Sequence, residues 1–521
     1  MERDDILALI QNDPEAIVTI TQRLEEEVKQ LQELCSLQQA RIAELERRLN
    51  MNSQNSSRPP STDGFKRPQK ERKKTGKRPG GQKGHEGRTI EWCETPDIIQ
   101  THRADVCEEC GASLALVPAS SVQKRQVHDI PPPRIVVTEH HAETVVCPHC
   151  GRIHEGSFPE EVPAYLQYGY NIRALMVYFC IYQLLPYERS AEIFTDIFGC
   201  SPVKATLMQS VSACAANLDG FEEEVKHLLQ GAPVLHADET GFRVNGKREW
   251  LHTASTDLLT LYGHHPKRGS EAMDAIGVLP AFKGIMVHDC WSPYFGYACE
   301  HAVCNAHILR DLKGISENTG QRWSDEMHDL LLEIYAAVDG APESAGSLTP
   351  VEIEEFQRRF DLILENGKAE NPSSPLPVQG GRRSRKRRTP AENLIDRCQR
   401  YRVEILRFMT DFRVPFTNNL AERDIRMVKV QQKISGTFRS VEGASNFCRV
   451  RGYISTVRKN GGSVITAIRR AFEGEPFIPT AALQVYLTCY PGYSYILKGI
   501  SHCYDRTLTR HGGARLHPPG C

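Results

Sequence analysis

Apolar positions along the chain change their period several times. Between residues 17 and 50 they follow a heptad, with Leu24, Val28, Leu31, Cys35, Gln38, Ile42, Leu45 and Leu49 on one seam and Glu, Gln and Arg on the flanks. Such a seam predicts a short coiled coil and self-association, although a single amphipathic helix packed on its own protein has the same pattern. From about 163 to 230 the spacing is helical, broken at Gly199 and "SPV", where either a helix-turn-helix or plain helical packing would turn. At Gly231 the pattern becomes that of strands. "APVLHADETGFRVNGKREWLHTASTDLLTLYG" predicts three of them, and Asn245-Gly246 is the signal of a two-residue hairpin. A helical stretch, "SEAMDAIGVLPAF", follows, then a buried strand, "GIMVHD", ending at Asp289. Helical spacing dominates 305–405, and no clear period is left after Phe477.

A chain of 521 residues exceeds one core and predicts two to four domains. With 40% hydrophobic and 25% charged residues it reads as globular rather than disordered or fibrous. "MERDDILALI" lacks the basic-then-apolar pattern of a secretory signal, and the longest apolar run, "ALMVYFCIYQLL", is too short to span a bilayer. The expectation is a cytosolic protein whose 17 cysteines are mostly reduced thiols. The net charge of −1 hides an uneven distribution. From Phe65 to Arg88 there are ten Lys/Arg against two Glu, with Gly and Pro throughout. This predicts a flexible basic arm, including Lys73, Lys74, Lys77 and Arg78, suited to a phosphate backbone; a solvated linker has the same composition. The run "GGRRSRKRR" is a second basic loop of the same ambiguity.

Two knuckles, Cys107-x-x-Cys110-Gly and Cys147-x-x-Cys150-Gly, carry the spacing of a tetrahedral four-thiolate site, for which Zn²⁺ is the usual occupant. Four cysteines leave no open position, so the zinc is expected to be structural. The intervening "QVHDIPPPRIVVTEHHAETVV" is expected to fold back as a hairpin, with His102, His128 and His149 outside the ligand set. "CEHAVCNAH" (Cys299, His301, Cys304, His307) could mimic a second zinc site. Part of it reads as a buried strand, so no metal is expected there.

Three strands, a helix and a further strand, with Asp238 on the first strand and Asp289 at the end of the last, is the order of a ribonuclease-H-like core. The two strands would lie side by side. A third carboxylate on a later helix would complete a site for hard divalent cations, which want carboxylate oxygens. Glu422 is placed for that role, with Arg426, Lys429 and Lys433 on the same helical face at i+4, i+7 and i+11 and Arg439 just beyond. Taken singly, each aspartate is equally a turn residue or a cap, and the Glu422 column equally a surface salt-bridge ladder. His288 and Glu239 flank the aspartates, and strand alternation points them away.

The stretches "NSSRPPSTDG", "RPGGQKGHEG", the two knuckles, "HADETGFRVNGKREWLH", "VHDCWSPYF", "CNAHILRDL" and "DFRVPFTNNLAERDIRMVKVQQKISGTFRS" resemble insertion-sequence-66-type bacterial transposases, in the family's order. The resemblance implies a multidomain α+β protein: a coiled coil over 1–50, a basic arm over 51–100, a zinc-binding module over 101–157 and a helical region, a candidate for DNA binding, over 158–230. A ribonuclease-H-like α/β catalytic core over 231–304 and 406–475 would be interrupted by a helical insertion over 305–405. The tail, 476–521, has no assigned role. The resemblance also implies that Asp238, Asp289 and Glu422 are the catalytic acids of an Asp-Asp-Glu transposase holding Mg²⁺ or Mn²⁺. The partners would be double-stranded DNA (element ends and target), at least one further copy of the chain, and small accessory proteins of the same element. A cytoplasmic, nucleoid-associated bacterial or archaeal protein with no membrane partner is expected. The competing expectations are a catalytically inactive DNA-binding protein of transposon origin and a nuclease that does not join ends.

Overall fold

The computed structural model describes residues 14–51, 55, 90–342, 344–372 and 388–479. The basic arm with Lys73, Lys74, Lys77 and Arg78, most of "GGRRSRKRR" and nearly all of the C-terminal tail lie outside the described residues. The heptad segment is one 37-residue helix, α1 (Pro14–Asn50). Its seam residues Leu24, Val28, Leu31, Ile42, Leu45 and Leu49 are all exposed.

The knuckle region contains one short hairpin, β1 (Thr144–Val146) with β2 (Ile153–Glu155). It flanks the second knuckle instead of lying between the two, which corrects the hairpin expected from the intervening sequence. Residues 121–143 carry no strand. Pro131, Pro132 and Pro133 sit in the middle of that segment and have no N–H to give a ladder. Almost every apolar residue of the region is exposed, among them Val127, Ile130, Val136 and Val137, so no hydrophobic core holds it together. A module of this size without a core needs a cross-link or a metal.

Helices α2 (Tyr170–Val177), α3 (Tyr187–Phe198), α4 (Lys204–Ala216) and α5 (Asp219–Gln230) lead into a five-stranded sheet. Its strands are β3 (Val234–Val244), β4 (Lys247–Ser255), β5 (Thr260–His265), β6 (Ile285–His288) and β7 (Glu300–Val303), in the order β5-β4-β3-β6-β7. The first three are antiparallel neighbours, and β3, β6 and β7 run parallel. The β3–β4 turn is the anticipated Asn245-Gly246, with both residues at positive φ (50° and 74°) as a type I′ turn demands. Helix α6 (Ser270–Ile276) is shorter than its pattern, ending where Gly277 turns left-handed.

After β7 come five helices, α7 (Asn305–Thr319), α8 (Arg322–Asp339), α9 (Pro350–Glu370), α10 (Pro390–Arg400) and α11 (Arg402–Thr410). Thr349 and Thr389 cap α9 and α10 with reciprocal bonds to Glu352 and Glu392, the capping box that the sequence spells at both sites. The chain ends in α12 (Asn419–Ser435), α13 (Val441–Lys459) and α14 (Val464–Phe472).

Strand alternation divides the molecule into two cores. Met286 joins Leu235, Ala237 and Leu251 in a cluster completed by α2–α5, α13 and α14. Its neighbours Ile285 and Val287 join Ala302 and Val303 in a second cluster built with α7–α11. The helical segment between Asp289 and Glu422 is therefore packed on the sheet, not hung from it. Fully buried Trp323 sits in that second core, and a Cβ added at Gly367 on α9 would lie 2.9 Å from its ring. Gly367→Ala is expected to destabilise the protein by about 1–3 kcal/mol, read as a lowered urea midpoint.

Candidate active site

The β3–β4 ladder continues to Val244, but β3 and β6 stay paired only as far as His236 and Val287. Beyond that point Cys290 adopts a left-handed backbone (φ 70°), unusual for a residue with a side chain, and the chain peels away into a short 3₁₀ turn over Ser292–Gly296. Asp289 closes this turn by accepting the Trp291 N–H at 3.0 Å. The turn-residue reading and the site reading therefore hold for the same carboxylate. Val234 pairs with Ile285, an offset of 51 residues, and the same offset separates Asp238 from Asp289. The two acids thus sit opposite each other where the parallel pair opens at its carboxyl end, on the face of Val287. Crevices at that end are where open α/β sheets bind ligands.

Glu422 comes to this place on the first turn of α12. Asn418, the residue preceding the helix, is 1% exposed and does the anchoring. Its side-chain amide donates to the Ala237 carbonyl at 2.8 Å, its Oδ1 accepts from His236 Nδ1 at 2.8 Å, and its backbone N–H points at Cys304 Sγ, 3.1 Å away. One residue therefore ties the start of α12 to the strand just before Asp238 and to the start of α7. Burial holds His236 below its ordinary pKa, so the ring is a neutral donor. Asn418→Ala would leave the His236 N–H and the Ala237 carbonyl buried without partners. We expect a loss of stability on the order of 2–4 kcal/mol, measured by urea unfolding.

The electrostatics show convergence. Burial pushes the Asp238 carboxyl well above the usual carboxylate range, and the charges of Glu239, Asp289 and Glu422 push it further. Glu239 points to the opposite face, as alternation dictates, where it has its own compensation. It accepts from Tyr294 Oη at 2.6 Å and from Arg268 Nε at 2.9 Å, and Arg268 is stacked over Trp291. Among the described residues no Lys or Arg forms an ion pair with Asp238, Asp289 or Glu422, and the carboxylate oxygens of the three do not all lie within 4.8 Å of one another. Clustered carboxylates of this kind are the donor set that hard divalent cations require, so the residues present fit Mg²⁺ or Mn²⁺.

The other anticipated residues divide. Arg426, Lys433 and Arg439 are exposed on and just after α12. Lys429 is half-buried and donates to the Gly241 carbonyl, so it braces α12 on β3. The knuckles form alike. In each, the glycine N–H bonds the first cysteine's carbonyl (Gly111 to Cys107, 2.9 Å; Gly151 to Cys147, 2.8 Å) with the glycine left-handed. Backbone amides of Cys110 and Glu109 hold the Cys107 thiol below its ordinary pKa, and those of Cys150 and His149 do the same for Cys147. Thiolate-favouring turns of this form fit a zinc ion. The structure does not, however, gather the four thiols into one cluster. Among the described residues the only group of three or more potential ligands within 4.8 Å of one another is Cys304, His307 and Glu422. In the sequence Cys304 and His307 read as part of a zinc-like pattern where no metal was expected, and neither their meeting with Glu422 nor the role of Asn418 was anticipated. The i, i+3 spacing in "CNAH" was the available signal.

Residues 166–446, more than half of the chain, match the family model described as Transposase IS66 family. The chain belongs to the transposase IS66 family. The matched span of this transposase begins just before α2 and ends inside α13, so it contains the whole sheet, Asp238, Asp289 and Glu422, and the five helices α7–α11. Residues 104–151, holding both knuckles, match the zinc-finger binding domain of transposase IS66, which supports structural zinc there. Residues 11–91 match a family of unknown function. Comparison with curated proteins gives no match. The transposase is thus a DNA-binding, DNA-processing protein with a zinc finger, and no helix among its described residues is long and apolar enough to cross a membrane.

Proposed function

We propose that this transposase binds the terminal inverted repeats of its mobile element, cleaves the DNA strand at the element's ends, and joins the freed 3′-hydroxyl to target DNA, using Asp238, Asp289 and Glu422 as ligands for Mg²⁺ or Mn²⁺. The observation that carries this reading is the common register of Asp238 and Asp289 across the parallel pair, with Glu422 brought to them by α12. The strand order β5-β4-β3-β6-β7, with three antiparallel strands followed by two parallel ones, supports a ribonuclease-H-like core. Bound metal ions supply Lewis-acid activation of the attacking oxygen and stabilise the leaving oxygen of an in-line displacement. The chain's own task is to hold three acids from two strands and a helix in a fixed arrangement, and Asn418 is what couples the helix to the strand. Since a water or a DNA hydroxyl is the nucleophile, no covalent protein–DNA intermediate is formed.

Around this site, exposed Arg426, Lys433 and Arg439 supply phosphate contacts along α12. Lys73, Lys74, Lys77 and Arg78 of the arm add a sequence-independent, salt-sensitive contribution. The exposed heptad seam of α1 supports self-association as a coiled coil, at least a dimer, which would bring two element ends together. The domain division proposed is the one given by the sequence, with small accessory proteins as further partners and the nucleoid as the place of action.

The deciding experiment uses purified protein and DNA carrying the element's own terminal repeats, with and without Mg²⁺ or Mn²⁺, followed for nicking at the ends and joining to a target plasmid. Cleavage and joining that require metal and vanish in Glu422→Gln, with binding retained, are expected. Equal activity in both proteins would remove Glu422 from the site. Metal-independent binding with no cleavage in either, accessory proteins present, would favour an inactive DNA-binding protein.

A further inference from the structure

The start of α7 holds a second donor set that the carboxylate chemistry does not use. Cys304 is the residue preceding the helix and His307 lies one turn in, so the two project from the same side. Glu422 of α12 faces them: its Oε1 is 3.9 Å from His307 Nδ1 and 4.0 Å from Cys304 Sγ. The ligand atoms of all three lie within 4.8 Å of one another.

Two features separate this trio from an ordinary packed cluster. His307 Nδ1 is buried and has no hydrogen-bond partner, although an acceptor oxygen is less than an ångström too far away. A buried orphan nitrogen in a native fold calls for a water or an ion. Cys304, completely buried, accepts the Asn418 backbone N–H at its sulfur, 3.1 Å away. An amide donor at the sulfur is the kind of outer-shell contact that orients a metal-bound thiolate, and burial with the Glu422 charge pushes the free thiol up to about 11, so the sulfur stays protonated without an ion. The separations also fit. A tetrahedral ion with ligands at about 2.0–2.3 Å spaces them roughly 3.3–3.8 Å apart, so Glu422 Oε1 must close on His307 Nδ1 and on Cys304 Sγ by about half an ångström.

We propose that Cys304, His307 and Glu422 form a binding site for a Zn²⁺-class divalent cation, distinct from the zinc finger and sharing Glu422 with the catalytic acids. A sulfur–nitrogen–oxygen set selects a borderline-soft ion over Mg²⁺. On binding, the Cys304 thiol releases its proton to solvent, since only the thiolate is a ligand. The three protein ligands leave a fourth position open. Zinc held here draws Glu422 towards α7 and competes with Mg²⁺ for the same carboxylate. That competition rests on the reading of Glu422 as a catalytic ligand; the binding itself does not.

The test is the metal content of the full chain after equilibrium dialysis against Zn²⁺. About two zinc ions per chain are expected, one in the finger and one here. The double variant Cys304→Ser/His307→Ala should hold about one, and Asp238→Asn should still hold two. One zinc in the wild type, or two in the double variant, overturns the site. Because Cys304 is buried, a second measurement leaves it in place. The variant Cys107→Ser/Cys110→Ser/Cys147→Ser/Cys150→Ser, loaded with Co²⁺, should keep one ion with the thiolate-to-cobalt charge-transfer absorption of a single sulfur ligand. No such absorption overturns the proposal equally. Neither readout uses DNA cleavage. A protein that binds two zinc ions and stays inactive even in an excess of Mg²⁺ would count against the catalytic reading alone, and an active protein that binds one would count against this site alone.

Discussion

Asp238→Asn is expected to abolish end cleavage while leaving the metal-free protein as stable as the wild type, or more so. Loss of a ligand from a metal site that stabilises transition-state charge removes several kcal/mol from catalysis, roughly 10³-fold or more in rate. The stability prediction comes from a different quantity. Burial and the neighbouring charges of Glu239, Asp289 and Glu422 all push the Asp238 carboxyl upward, so its ionised form is disfavoured in the folded chain. An amide of the same shape removes that repulsion and keeps the acceptor for the Glu239 N–H, which Asp238 Oδ1 binds at 2.9 Å. Destabilised sites of this kind are expected where function needs them. Metal reverses the comparison. Saturating Mg²⁺ at roughly 100 times its Kd stabilises a native site by about 2.7 kcal/mol, and the variant should lose most of that gain. Thermal midpoints of both proteins with EDTA and with Mg²⁺ give the four values needed. A variant that melts well below wild type in EDTA would make Asp238 a structural residue.

Some of this site was legible in the sequence and some was not, for physical reasons. The Asn245-Gly246 hairpin and the strand carrying Asp238 are local signals, since two adjacent residues able to adopt positive φ dictate the turn. The pairing of β3 with β6 follows from a short apolar strand behind a helix, and its register sets Asp289 opposite Asp238 once the strands are known to be neighbours. The misplaced hairpin of the zinc module was expected because the gap between the two knuckles is long and its ends would have to meet. "RIVV" is an apolar, β-branched run suited to a strand, but the three prolines beside it remove the donors that a ladder needs. Helical spacing put Lys429 on the face of Glu422 and Arg426, but no helical wheel shows that Gly241 presents a carbonyl there. The meeting of Cys304 with Glu422 is less legible still. The two residues are 118 positions apart, and their contact depends on the helix starts of α7 and α12 being drawn together, with Asn305 N–H bonding the Phe416 carbonyl at 3.1 Å. Nothing periodic in either segment records that approach.

Asp424→Ala is expected to produce the opposite signature to Asp238→Asn: activity lost because the fold is lost. Asp424 lies two residues after Glu422, on the side of α12 facing the sheet. Its Oδ2 is 2.8 Å from Lys459 Nζ at the end of α13, and the two side chains are only 12% and 13% exposed. Thr260 Oγ1 donates to the same oxygen at 3.2 Å, and Tyr262 Oη donates to the Asp424 backbone carbonyl at 2.8 Å. Lys459 otherwise reaches only two backbone carbonyls, those of Thr256 and Leu259 at 2.8 and 3.0 Å. Burial lowers the Lys459 pKa and Asp424 opposes that shift, so removing the carboxylate leaves an ammonium that is neither solvated nor neutralised. Breaking one partner of a buried pair costs on the order of 3–5 kcal/mol, a large part of a domain's total stability. The companion variant separates the pair's worth from the cost of a stranded charge. Asp424→Leu/Lys459→Met removes both charges together and should recover most of the loss, because the pair itself offsets little more than its own desolvation. Urea midpoints for the single and double variants decide the matter. A single variant within about 1 kcal/mol of wild type would mean that Lys459 finds water, and that α12 is held against the sheet by Asn418 and its apolar face alone.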